Sequence, residues 1–177
     1  MSDSHVFGRV AKVPPRAVRG EGCYLIDQDG KRYLDGSGGA AVSCLGHSDA
    51  GVSAAIKAQL DTLAFAHTGF FTSQPADELA DLLAARAPGD LSRVYFVSGG
   101  SEAVEAAIKL ARQYFLERGE PKRSRVIARR QSYHGNTLGA LGAGRSDGRR
   151  EPFAPLFGPT SHISPCYEYR GRAEDET

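Results

Sequence analysis

Residues Val94 to Phe115 read VYFVSGGSEAVEAAIKLARQYF. Val94 to Val97 is a short apolar run, read as a strand buried on both faces. It runs into Ser98-Gly99-Gly100-Ser101, and a helical pattern begins at once. Over 101–118, Val104, Ala107, Ile108, Ala111, Tyr114 and Phe115 fall on one stripe. Glu105 and Lys109 are spaced as a favourable i,i+4 pair on the wet side. Gly119 and Pro121 stop the helix. A second candidate strand follows at Arg125 to Ala128. Strand, loop, helix, strand is a βαβ unit, which predicts an α/β fold with a parallel sheet and a right-handed crossover.

Ligands of open α/β sheets bind beyond the carboxyl ends of strands. Ser98-Gly99-Gly100-Ser101 lies at such an end. Two glycines let a ligand approach the backbone, the first-turn N–H groups are free, and the helix dipole is positive there. Ser98 and Ser101 add hydroxyl donors. The expected tenant is an anion, phosphate before others. Glu102 need not oppose it, since a first-turn carboxylate suits the dipole. The loop alone reads equally well as a Gly-rich helix cap that binds nothing. It matches neither GxxxxGK[ST] nor GxGxxG. A second element, QSYHGNT at Gln131 to Thr137, follows the next strand on the same sheet edge. An aromatic ring there, Tyr133, can stack on a planar ligand held by the loop, with His134 beside it. Taken singly, Tyr133 reads as a packed tyrosine and His134 as a satisfied histidine; their convergence with the loop favours a site.

Outward from this centre the pattern is simpler. Residues 1 to 20 show no period, and Pro14-Pro15 predicts an extended arm. In GCYLIDQDGKRYLDG, two apolar-aromatic runs, Tyr24 to Ile26 and Tyr33-Leu34, flank Asp29-Gly30, which predicts a β-hairpin. Ser37 to His47 is small and Gly-rich, a tight loop or short strand. Ser48 or Asp49 caps a helix carrying Val52, Ile56, Leu60 and Leu63. AHTGFFTSQ is an irregular aromatic loop. Pro75 opens a further helix that ends before Pro88-Gly89. Beyond Arg145 the text is polar, with a short strand possible at His162-Ile163. The division expected is 1–50 for the arm and hairpin segment and 51–177 for the first part of a larger domain.

Bulk properties exclude several classes. There are 22 basic and 21 acidic residues, net charge +1, so no nucleic-acid or anionic-membrane partner is expected. The basic run PKRSRVIARR brackets a predicted strand and reads as its solvated ends. No apolar run approaches 18 residues. The start lacks the apolar core of a signal peptide. Three separated cysteines and five scattered histidines show no ligand spacing, so no metal site is expected and a reduced, cytoplasmic setting is.

Together these segments resemble a known family. GEGCYLIDQDGKRYLDGSGGAAVSCLGH is similar to the amino-terminal segment of class III pyridoxal phosphate-dependent aminotransferases, the ω-aminotransferase group. FVSGGSEAVEAAIKLARQY resembles their phosphate-loop segment, and SYHGNTLGA the segment with the ring-stacking aromatic. The resemblance runs from about Gly20 to about Gly144. It implies fold type I, in which a large α/β domain is joined by a smaller domain built from both chain ends. The first 50 residues would then belong to the small domain. It implies pyridoxal 5'-phosphate as cofactor, Gly100 and Ser101 on its phosphate, Tyr133 on its ring and His134 beside it. Gly36 to Leu45 would line the substrate side, and His67 to Phe71 would lie near the interface of a homodimer. The implied activity moves an amino group from an amine or amino acid to a 2-oxo acid.

The family's chemistry also needs an aspartate on the pyridine nitrogen and a lysine that carries the cofactor. In the family both lie well downstream of the YHG segment. The lysines here are Lys12, Lys31, Lys57, Lys109 and Lys122, and none follows a buried strand in the right place. No catalytic residue is therefore assigned. The chain is expected to be a fragment, inactive alone and poorly soluble through apolar faces meant for other partners. The alternative is a non-catalytic piece that dimerises or interacts with a full-length relative.

Overall fold

The architecture was taken from a computed structural model of the chain, which describes residues 5–8 and 10–169. The described residues divide into two units, one up to Leu79 and one from Ala80.

In the first unit, β1 (Ala17–Glu21), β2 (Tyr24–Asp27) and β3 (Arg32–Leu34) form an antiparallel sheet in the order β1-β2-β3. The expected hairpin is β2–β3, with Leu25 opposite Tyr33. Its turn is closed by Asp27, which is buried. Its carboxylate accepts the N–H groups of Asp29 at 3.0 Å and Lys31 at 2.9 Å and the Tyr33 hydroxyl at 2.8 Å. Gly30 supplies the positive φ of 81°. β1 lies in the region expected to be an unpaired arm. Its sequence, AVRGE, has no apolar alternation, and its residues are held by backbone pairing with β2.

Ser37 to His47 folds into a left-handed turn, α1 (Gly38–Ala41), with φ between 56° and 66° at all four residues. Two of these are alanines, each costing about 1–2 kcal/mol in this region. Asp35 organises the surroundings. Its carboxylate accepts the Ser43 hydroxyl at 3.0 Å and meets His47 Nε2 at 2.9 Å. The His47 N–H in turn donates to the Gly22 carbonyl at 2.7 Å, tying the turn to the sheet. The α2 helix (Ala50–Thr62) is capped by Asp49, whose carboxylate accepts the Val52 N–H at 2.8 Å. Then α3 (Gln74–Ala84) begins beside Pro75, as expected.

The second unit differs from expectation at its start. Val94 to Val97 is not a strand: no residue there pairs with another described strand, and Tyr95 is 80% exposed. A strand needs a neighbouring edge for its N–H and C=O groups, and apolar character cannot substitute for one. The parallel sheet exists, but between β4 (Val126–Arg129) and β5 (Thr160–Ile163), with Val126 opposite Thr160 and Arg129 opposite Ile163. The crossover is therefore not α4 (Gly100–Glu117) but α5 (Leu138–Ala143), α6 (Asp147–Arg150) and the 3-10 segment η1 (Glu151–Leu156). Among the described residues of this unit, the buried apolar side chains are small: Ala128, Ala140 and Ala143. His162 Nε2 donates to the Ala143 carbonyl at 3.1 Å and ties β5 to α5. The expected apolar stripe of α4 is present but open to solvent. No α4 residue is buried, and Val104, Ile108, Phe115 and Val126 line a groove of about 780 Å³.

Candidate cofactor-binding site

The site is built where α4 begins. Gly99 is the N-cap residue, in extended conformation, and no side chain caps the helix. The first-turn N–H groups therefore face outward with the positive end of the dipole. A Cβ placed on Gly100 would meet nothing within 4 Å, so the space beside Gly100 is open, while one on Gly99 would lie 3.4 Å from the Glu102 carboxylate.

The second element docks directly on this helix end. The Asn136 N–H donates to Ser101 Oγ at 2.8 Å. A Cβ on Gly135 would lie 2.7 Å from Ser101 Cα and 2.6 Å from its Oγ, and Gly135 has φ 135°. Only glycine allows this approach. Because Ser101 Oγ accepts from Asn136, the hydroxyl proton remains available to donate elsewhere. Further along α4, the Glu105 carboxylate accepts the N–H groups of Gly139 at 2.7 Å and Ala140 at 3.3 Å. The Thr137 hydroxyl bonds to the same carboxylate and lies 3.4 Å from the Ser101 carbonyl. The Thr137 bond is the strongest influence holding the Glu105 carboxyl below its ordinary range. Partial burial opposes it, and the two N–H bonds reinforce it.

The structure thus places Gly100, Ser101 and the Tyr133-His134 segment at one end of α4. Tyr133 is 65% exposed, and the Arg149 guanidinium lies 5.4 Å from its ring centre. His134 is exposed. The expected surface pair of Glu105 with Lys109 is not what α4 uses: the carboxylate turns to α5, and Lys109 is the weakest influence on it. Buried-facing N–H donors outcompete a solvated ammonium. Sequence reasoning missed this contact and the approach of Arg149 to the Tyr133 ring. The signal for the first was the glycine spacing in HGNTLG, where Gly135 and Gly139 both leave no room for a side chain against α4.

In the first unit, the Gly36 to Leu45 stretch holds the left-handed turn, with Val42 and Leu45 exposed. Within His67 to Phe71, the rings of His67 and Phe70 are 5.2 Å apart, and Phe70 and Phe71 are exposed.

The family model for class-III aminotransferases matches residues 8–177. The chain belongs to the class-III aminotransferase family. Similar proteins include an uncharacterised aminotransferase of Schizosaccharomyces pombe, 47% identical over 93% of this chain and 36% of that protein. The aminotransferase YodT of Bacillus subtilis is 41% identical over 99% of this chain and 40% of its own length. Among solved structures, an amine transaminase from an uncultivated Pseudomonas species, in its PLP-bound form, superposes with TM-score 0.89 and 33% identity. That match covers 98% of this chain and 41% of the transaminase. An (S)-enantioselective omega-transaminase from Thermomicrobium roseum gives TM-score 0.87 and 37% identity, over 94% of this chain and 38% of the other. The fold is that of part of a fold type I transaminase, and the chain spans roughly two fifths of the relatives it matches. No helix among the described residues is long and apolar enough to cross a membrane.

The residues present suit a phosphorylated planar cofactor. The helix end is uncapped and open at Gly100, Ser101 keeps a donor, and one aromatic ring two residues from the docked glycine is accessible.

Proposed function

We propose that this chain carries the phosphate grip and ring-stacking wall of a pyridoxal phosphate-dependent aminotransferase. The activity is transfer of an amino group from an amine or amino acid to a 2-oxo acid. The first-turn N–H groups at Gly100 and Ser101, with the Ser101 hydroxyl, hold the cofactor phosphate. Tyr133 stacks on the ring, and His134 flanks it. When bound, the cofactor supplies the electron sink for loss of a proton from the amine carbon. The chain's own residues anchor and orient it and assign no group to proton transfer. The lysine and aspartate of the chemistry come from outside these residues, so the chain by itself is inactive. The active form is a homodimer, working in the reducing cytoplasm, where the exposed thiols of Cys23, Cys44 and Cys166 stay free. Residues 1–50 contribute to the small domain and 51–177 to the cofactor-binding one.

The observation that carries this reading is the docking of Gly135 and Asn136 onto Ser101, which sets an aromatic segment beside an uncapped helix end. The test is titration of the purified chain with pyridoxal phosphate, then borohydride reduction and mass spectrometry. Saturable binding weakened by Ser101→Ala and Tyr133→Ala, with no single lysine labelled stoichiometrically, supports it. Binding indifferent to both substitutions refutes the site. A single labelled lysine, lost on its mutation, refutes the claim that the chain lacks a catalytic lysine.

A further inference from the structure

Glu105 stands one helical turn beyond Ser101 on the same face of α4. Both residues bond to the segment about 35 positions later, Ser101 to Asn136 and Glu105 to Gly139 and Ala140. The segment is therefore pinned along α4 at two points. The Gly139 and Ala140 N–H groups belong to the first turn of α5, whose own N-cap, Thr137, makes no side-chain cap bond. Glu105 supplies that cap from another helix, and its charge suits the positive end of α5. With six residues, α5 is too short to be helical alone. It depends on this cap and on the burial of Ala140, which is fully inaccessible. Tyr133 precedes Gly135 by two residues, so their Cα atoms are at most about 7.6 Å apart. Tyr133 thus lies between this pinned segment and Ser132, whose carbonyl accepts the Arg145 N–H at 3.1 Å, and the α4 contacts hold its far side.

We propose that Glu105 is a positioning residue: its carboxylate holds the 133–140 segment on α4 and thereby sets the Tyr133 ring relative to the anion-binding end of that helix. The proposal rests on the reading of Gly100, Ser101 and Tyr133 given above. It assigns a role to a residue that touches neither phosphate nor ring. A carboxylate serves better than an amide because a charged acceptor makes stronger bonds to two N–H donors.

The test compares the full chain with its Glu105→Ala and Glu105→Gln variants by two readouts. One is amide hydrogen exchange over 135–140. The other is affinity for pyridoxamine 5'-phosphate against inorganic phosphate. Glu105→Ala is expected to speed exchange at Gly139 and Ala140 by at least about tenfold, which is about 1.4 kcal/mol. Affinity for pyridoxamine phosphate falls by a similar factor, while inorganic phosphate changes less than about twofold. Glu105→Gln, which keeps a carbonyl acceptor, recovers most of both. Unchanged exchange, or equal loss of both ligands, overturns the proposal. Should the wild-type chain bind pyridoxamine phosphate no better than phosphate, the cofactor reading fails instead. Exchange then still decides whether Glu105 holds the segment: unchanged protection in Glu105→Ala overturns the hold. If Glu105→Ala does not fold, Gly139→Ala attacks the same contact from the other side, since its Cβ would lie 2.5 Å from the carboxylate. The same split between ring-bearing ligand and phosphate is expected, and its absence overturns the proposal.

Discussion

Gly135→Ala is the sharpest perturbation of the site. At φ 135° an alanine is strained by about 1–3 kcal/mol. Its methyl would also sit 2.7 Å from Ser101 Cα, which is helix backbone and cannot rotate aside. The segment must withdraw, and the 2.8 Å bond from the Asn136 N–H to Ser101 Oγ is lost, worth about 1 kcal/mol net. Together these give about 2–4 kcal/mol against the docked state, a factor of about 30 to 700 at 1.4 kcal/mol per tenfold. The Asn136 amide should exchange faster by that factor, up to the limit set by global opening, while amides in the middle of α4 keep their rates. Acceleration below about threefold would refute the claim that Gly135 is chosen for its approach to Ser101.

Other perturbations read different parts of the structure. Gly100→Ala meets no atom within 4 Å, so thermal stability should not fall, yet a methyl in the open space should weaken phosphate binding several-fold; a stability loss above about 1 kcal/mol contradicts this. In the first unit, bonding to His47 and then to Ser43 holds the Asp35 carboxyl below its ordinary range. A depressed folded value contributes stability that is complete above the unfolded value, near 3.9, and lost as pH falls through the folded one. Amide protection in Gly38 to Ser43 should persist from neutral pH to about 4 and disappear in stronger acid; protection surviving to pH 2 counts against Asp35 as the organiser. The uncovered groove of Val104, Ile108, Phe115 and Val126 should make the chain self-associate, measured by sedimentation. A clean monomer with one cooperative thermal transition would contradict that.

The sequence by itself determined the features that depend on neighbours along the chain. Asp29-Gly30 placed the hairpin turn, Ser48-Asp49 and Pro75 placed helix starts, and Ser98 to Ser101 announced an open helix end, because caps and positive-φ turns are local physics. The family was legible for the same reason, in the order of its segments. Tertiary structure alone decided the rest. It denied Val94 to Val97 a strand, made β1 from a segment without periodicity, and gave the parallel crossover to α5 rather than α4. It also turned Glu105 from a surface partner of Lys109 into the cap of another helix. Each of these is settled by which backbone donors and acceptors meet across long stretches of chain. A strand exists only beside an edge that pairs with it, and a carboxylate goes where N–H groups have no other partner.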